Sequence, residues 1–316
     1  MKQLIIFISF LNIVIGFSQE SKTAFIPDIV KQFPNVRDIA FSPDGNEILF
    51  SAQSVMGNIS TLITIKKENG LWNKPQVAQF SGKYFDLEPF YLTDGLKIYF
   101  VSNRPIDNTS RSTKDFDIWY VERDTLNKDW SEPKNLGSPI NTEHDEFYPS
   151  ITTNGNIYFT RDNTSLKNKD DIYFSEFKDL QYTEPITLPN EINSEGYEYN
   201  AFVAPDESFL IYGSYNRNGG FGSGDLFISF HNDMTGWTPA ENLGELVNSD
   251  KMDYCPFVDM KTGTLYFTSK LDNTSTKFEK PLTINELFEE LNKYDNGLSR
   301  IYSISIEKLF KKIFKN

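Results

Sequence analysis

The chain is poor in the residues on which most catalytic and metal chemistry relies. Its 316 residues include one cysteine, Cys255, and two histidines, His144 and His231. One thiol cannot form an internal disulfide, so stability must come from packing, and Cys255 reads as a small buried apolar side chain. Two isolated histidines and one cysteine do not make a zinc site. No G-x-S-x-G elbow occurs, which excludes the serine-hydrolase arrangement. Basic side chains are outnumbered, with 31 Lys and Arg against 44 Asp and Glu for a net charge of −13. That balance argues against nucleic acid and anionic lipid as partners.

Long apolar runs are also lacking beyond the N-terminus. Residues 4–17 are apolar behind Lys2, with the small residues Gly16 and Ser18 where a signal peptidase would need them. The run is short of the roughly 20 residues that a membrane span requires. A signal peptide over residues 1–18 is therefore expected, cleaved near Ser18, leaving a periplasmic or secreted chain with no transmembrane span. No cysteine follows the run to carry a lipid.

What the chain does have is repetition. "DLEPFYLTDGLKIYFVS" begins at Asp86, "DEFYPSITTNGNIYFT" at Asp145, "EYNAFVAPDESFLIYGS" at Glu198 and "DYCPFVDMKTGTLYFTS" at Asp253. Each reads as a strand, a tight turn and an aromatic-rich second strand. The turns centre on Gly45, Gly95, Gly155 and Gly263, with Glu207 in the fourth place, at intervals of 50 to 60 residues. A third strand follows a loop, as in "DIWYVER", "DIYFSEF" and "DLFISFH", and a fourth segment follows a polar turn, as in "WSEPKNLG", "YTEPITLP" and "WTPAENLG". Repeated units of four short antiparallel strands make β-propeller blades. The expected fold is all-β: one propeller over residues 19–316, with five blades from the hairpin count and six as the alternative.

These residues resemble the TolB-like propeller family, the Pro-Asp relatives of WD-type repeats, whose blades read acid-x-x-Pro, then Pro-Asp-Gly, then a strand ending near Arg. "FSPDGNEILFS" carries the turn, while "GGFGSGDLFIS" and "WTPAENLGELVNSDKMDYCP" look like the envelope-associated subgroup often fused to OmpA-like domains. The resemblance covers nearly all of the chain after residue 18, and it speaks to fold more than to function. The family is usually associated with six blades. Here the fifth hairpin lacks a fourth strand at the C-terminus, so residues 24–30 are expected to pair with residues 300–307 and close the ring.

With the turns aligned, Asp86, Glu146, Glu198 and Asp253 share one position ahead of each innermost strand, and Val36 holds it in the first blade. That position shares a face with the long loops. The acids are read either as construction elements that accept backbone hydrogen bonds or as a channel-mouth site for a calcium or magnesium ion or a basic ligand group. No spacing selects a metal, and no cofactor is expected. Arg104 and Arg217 follow second strands, where they would pair with Asp117 and Asp225 or bind a substrate carboxylate. "GGFGSGD" lacks the Lys and helix of a phosphate loop. Trp72, Trp130 and Trp237 recur at one place in the repeat and read as packing residues.

An insertion in the fifth blade carries a helix within about residues 280–297. Thr283 and Glu286 stand at capping-box spacing, and Ile284, Leu287, Phe288, Leu291 and Tyr294 form one face that ends at Gly297. Phe288 and Leu291 would dock a partner, cover the channel as a lid, or pack on the blade wall. The leading functional reading is a monomeric, non-catalytic propeller that binds an envelope protein, peptide or glycan through its long-loop face. The alternative is a glycoside hydrolase that uses two of the mouth carboxylates.

Overall fold

The hairpins punctuated by those turns all form in the computed structural model, which describes residues 21–107, 113–163, 170–232 and 234–313. The expected leader, residues 1–18, lies outside them. The innermost strands of five blades are Asn35–Phe41, Asp86–Tyr91, Asp145–Ile151, Tyr197–Val203 and Asp253–Asp259. Each pairs antiparallel with a second strand, which pairs with a third. The innermost strands touch their neighbours in sequence order, and the last touches the first. The fold is a five-bladed β-propeller.

Short fourth strands complete the sheets: Gln76–Val77, Lys134–Asn135, Ile186–Thr187 and Glu241–Asn242. The fifth comes from the other end of the chain. Thr23 and Ala24 pair with Ser303 and Tyr302, and the Phe25 amide donates to the Ile301 carbonyl at 3.0 Å. This ring closure is the expected one, but the strand is shorter. Pro27 sets a helical turn, Pro27–Val30, whose Val30 is fully buried beside Val36, Ile48 and Phe50. Likewise the third strand of the fifth blade, Arg300–Ser305, stops before residue 307, and the helix Ile306–Ile313 follows. Ile306, Leu309 and Phe310 have helical spacing. Leu309 is buried, and the Phe310 ring meets Phe209 and Phe230 at 5.6 and 5.7 Å, sealing the core between the last two blades.

Every innermost strand has a bulge at the same place, and each bulge holds a non-glycine residue at positive φ: Asp38, Glu88, Tyr148, Asn200 and Cys255. A bulge bends the strand and re-aims its side chains. Here it aims one residue from each blade at the axis, so the centre of the ring is a polar cluster.

Deleting the residues up to Phe25 should expose the outer edge of the fifth blade and remove hydrogen bonds worth about 0.5–1.5 kcal/mol each. Thermal unfolding of the truncated protein should move down by several degrees; an unchanged melting temperature would show that the closing strand contributes nothing.

Candidate functional site

The four repeated acids are all fully buried, and each is held by partners from its own part of the ring. Asp86 accepts from Ser102 Oγ at 2.6 Å, Ser81 Oγ at 2.7 Å and Arg104 Nη2 at 2.7 Å. Glu146 accepts from the Thr142 amide at 3.1 Å and hydroxyl at 2.7 Å, and from Arg161 Nε at 2.9 Å. Glu198 accepts from the Ser194 amide and hydroxyl at 2.9 and 2.6 Å and from Ser214 Oγ at 2.8 Å, with Arg217 Nη1 3.5 Å away. Asp253 accepts from the Ser249 amide and hydroxyl at 2.6 and 2.8 Å. Among the described residues, no three His, Cys, Asp or Glu side chains gather where they could hold a metal ion.

The arginines have other partners than those expected. Arg104 pairs with Asp86 rather than Asp117, and Arg217 reaches Glu198 rather than Asp225. Asp117 instead accepts from Lys114 and Asn135, and Asp225 from the Phe221 and Gly222 amides. The reason lies in the surroundings of each guanidinium and not in depth, since Asp86, Glu198, Asp117 and Asp225 are all buried. Each guanidinium turns in between blades and lies against aromatic faces: Arg104 on Phe100 and Trp119, Arg161 on Tyr173 and Phe159, Arg217 on Phe227 and Tyr212. From there it also donates to the carbonyl of the preceding linker, at Phe80, Ile140 or Ile192. Carboxylate, cation and carbonyl thus form one clasp in three successive blades.

In the fifth blade no arginine occupies that place; Lys22 does. Its Nζ donates to the Val247 carbonyl at 2.6 Å, stands 3.9 Å from Asp253 Oδ1 and lies over Phe267 and Tyr302. The N-terminal segment therefore supplies both the closing strand and the clasping cation. The linker adds a latch. Asn141, Asn193 and Asn248 each accept from and donate to one residue of the third strand, Ile118, Ile172 and Leu226 respectively, at 2.8–3.0 Å. The sequence signal for this was present as "NTEHDE", "NSEGYE" and "NSDKMD": an amide, a hydroxyl beside it, and the acid five residues on.

The side chains that do meet across blades lie two positions after the acids. Arg37 donates through Nε to Asp38 and through Nη2 to Glu88, both at 2.6 Å, and packs over Tyr254. Glu88 also accepts from the Tyr148 amide at 2.7 Å and Asn200 Nδ2 at 3.1 Å, while Cys255 Sγ lies 3.2 Å from Arg37 Nη2 and 3.4 Å from Asn200 Oδ1. Cys255 is buried as expected, but among polar groups. Burial pushes its thiol well above the usual range, which suits a structural side chain and not a nucleophile. Burial likewise pushes the Glu88 carboxyl up to about 7 against the pull of Arg37, and the Glu146 carboxyl up to about 7 against the donors from Thr142 and Arg161.

The insertion leaves the ring at Ser269, opposite Asp253, and so emerges at the end where the acids lie. Its helix, Ile284–Leu291, has the expected capping box, the Glu286 amide donating to Thr283 Oγ1 and the Thr283 amide to Glu286 Oε2. It ends at Asn292, earlier than Gly297. Tyr294 falls outside it and packs into the blade, its hydroxyl donating to the Ile301 carbonyl at 2.6 Å. Ile284, Phe288 and Leu291 are 61%, 55% and 58% exposed. Polar contacts hold the helix instead: Lys293 bridges Glu290 and the Asn273 carbonyl, and the Ser275 amide donates to Glu290.

No family model matches the chain, and no curated protein matches it. Among solved structures it is similar to a protein described as TolB from Agrobacterium tumefaciens, at 13% identity over 78% of this chain and 73% of that one with a TM-score of 0.47. It is similar to TolB from Acinetobacter baumannii at 13% identity, covering 85% of this chain and 54% of that one (TM-score 0.46), and so spans about half of that protein. It is also similar to an α-L-arabinofuranosidase from Lactobacillus brevis, at 14% identity over 87% and 93% of the two chains (TM-score 0.46). At such identities the likeness is one of fold.

Two outcomes test this account. Lys22→Met should lower stability by about 1–3 kcal/mol by leaving the Asp253 carboxylate buried without its cation. Burial already raises the Asp253 pKa, so denaturant unfolding should show a smaller loss at acid pH, where the carboxylate is neutralised; a loss independent of pH would refute the clasp. Separately, folded-state pKa values raised above the unfolded ones mean that the folded protein holds protons more tightly. Glu88 and Glu146 should therefore make stability fall as pH rises from about 4.5 to about 7. Glu88→Gln should flatten that slope.

Proposed function

We propose that the chain is a periplasmic or secreted, non-catalytic propeller that acts as a monomer and binds an envelope protein or peptide through its long-loop face. The observation that carries this reading is the insertion helix, whose Ile284, Phe288 and Leu291 side chains are more than half exposed while Lys293 ties its end to Glu290 and the Asn273 carbonyl. A helix whose apolar side chains are largely exposed offers them to a partner. Among the described residues, no helix is long and apolar enough to cross a membrane, and the apolar leader is the basis for placing the chain in the envelope.

The buried acids support the binding reading over glycoside cleavage. A glycosidase needs two carboxyl groups facing one sugar, whereas Asp86, Glu146, Glu198 and Asp253 are each enclosed by donors from their own blade or linker. At the axis, Asp38 and Glu88 are bridged by Arg37, which neutralises charge that catalysis would need. The acids are proposed as clasps, and a ligand or ion at the mouth would have to displace a buried cation.

Replacing Phe288 and Leu291 together by Ser should change stability by no more than about 0.5 kcal/mol per site, because both side chains are exposed. The same variant should fail to capture the partner that the unmodified chain retains from an envelope fraction. Retained capture, or loss of several kcal/mol, would overturn the docking role, and turnover in a screen of arabinan, xylan and aryl-glycoside substrates would overturn the non-catalytic one.

A further inference from the structure

At the short-turn end of the ring, Phe41, Phe90, Phe202 and Phe257 line a socket on the axis. Outward of it, between the second and third blades, lies a larger open pocket of about 500 Å³. Its third-blade wall departs from the repeat. Where blades one, two and four place Trp72, Trp130 and Trp237 against the core, blade three has Tyr182. Tyr182 belongs to a small hairpin, Phe177–Lys178 with Gln181–Tyr182. The Phe177 amide donates to Asn156 Oδ1 at 2.9 Å, and its ring meets Tyr182 at 5.1 Å and lies so close to Gly155 that a Cβ there would touch it at 3.0 Å. Tyr99 and Tyr120 of blade two, 6.1 Å apart, complete an aromatic lining that is already in place.

The turn of this hairpin is costly to the fold. Asp179 and Leu180 have φ of 52° and 64°. In blade one the matching turn is Asn69 and Gly70, the residues that a two-residue turn of this kind favours. Leucine is strained in the left-handed region. Leu180 recovers nothing inside the chain, because it is 90% exposed at the pocket. A strained and exposed apolar residue beside a pocket points to a role outside the fold.

The lining decides what chemistry fits. The volume is that of a small-molecule site. Among the described residues no carboxylate lines the pocket, so a cation finds no counter-charge, and Lys97 Nζ already lies over the Tyr120 ring at 4.6 Å. Lys97 is the one cation of that lining, and Glu122 stands 3.7 Å from it, so an anion finds the charge already met. A wholly apolar occupant would strip water from Lys97, Ser138 and Gln181 and return no hydrogen bond. The Ser138 hydroxyl and the Gln181 side-chain amide bond no other described residue. A neutral sugar satisfies all of these conditions: its C–H face stacks on the aromatic rings, and its hydroxyls exchange hydrogen bonds with the polar groups.

We propose that this pocket binds a neutral glycan, with a pyranose ring stacked on the aromatic lining, and holds it without cleaving it. The site is independent of the docking helix, which lies on the other face.

The test is saturation-transfer difference NMR on the full chain with cellotriose, mannotriose, galactotriose and chitotriose as probes. At least one should bind with a dissociation constant of about 1 mM or tighter, and its affinity should not change with salt, because the ligand is uncharged. The peptide Gly-Trp-Gly, which offers a ring without hydroxyls, should bind more weakly. Gln181→Ala should cost about fivefold in affinity through one lost hydrogen bond. Leu180→Gly should raise the melting temperature, since glycine takes the turn without strain, yet weaken the sugar about fivefold. Phe288→Ser with Leu291→Ser should leave sugar affinity unchanged, which separates this site from the long-loop face. No binding of any of the four sugars at about 10 mM, tighter binding of Gly-Trp-Gly, or normal affinity in both the Leu180→Gly and Gln181→Ala proteins would each overturn the proposal.

Discussion

The structure depends on a buried carboxylate that meets a cation, and on the cation's second bond to a linker carbonyl. In blades two to four the pairs are Asp86 with Arg104, Glu146 with Arg161 and Glu198 with Arg217. A buried ion pair costs desolvation and is a weak source of net stability, but removal of one partner leaves a charge that nothing compensates. Its effect is therefore on specificity. A blade docked one position out of register would strand a charge, so the clasp allows one way of setting each innermost strand against the linker before it. The asparagine latches fix the same linker to the third strand, and the two devices together define the blade.

Closure of the ring uses the same chemistry. Lys22 reaches Asp253 and the Val247 carbonyl from the far end of the chain, so the last blade receives its outer strand and its cation in one act. The first blade has Val36 opposite Ala52 where the others have an acid opposite a serine or arginine. It needs no cation, and its junction with the fifth blade is made instead by the Val36 amide donating to the Ser299 carbonyl and by Arg300 donating to the Pro34 carbonyl.

The chemistry that faces solvent is a consequence of this construction. With the acids enclosed in the walls and Arg37, Asp38 and Glu88 closing the axis, the ring has two separate ends. One carries the long loops and an amphipathic helix with exposed apolar side chains; the other carries an aromatic socket.

The sequence by itself determined the propeller, the number of hairpins, the closing of the ring by its ends, and the capped helix of the insertion. Those features are written in local patterns: alternation along strands, glycine at turns, and a threonine three residues ahead of a glutamate. What only the tertiary structure decided is where the charges go. Asp86 and Arg104 are eighteen residues apart and Lys22 is far from Asp253 in the chain, so the pairing of acid with cation depends on which side chains the folded blades bring together, which no spacing records. The same holds for the axis. The repeated acids drew attention to one position, but a bulge in every innermost strand turns the residue two places later toward the centre, because an extra residue at positive φ rotates the side chains that follow. The repeat could therefore reveal that an acid was required without revealing that its role was to be buried.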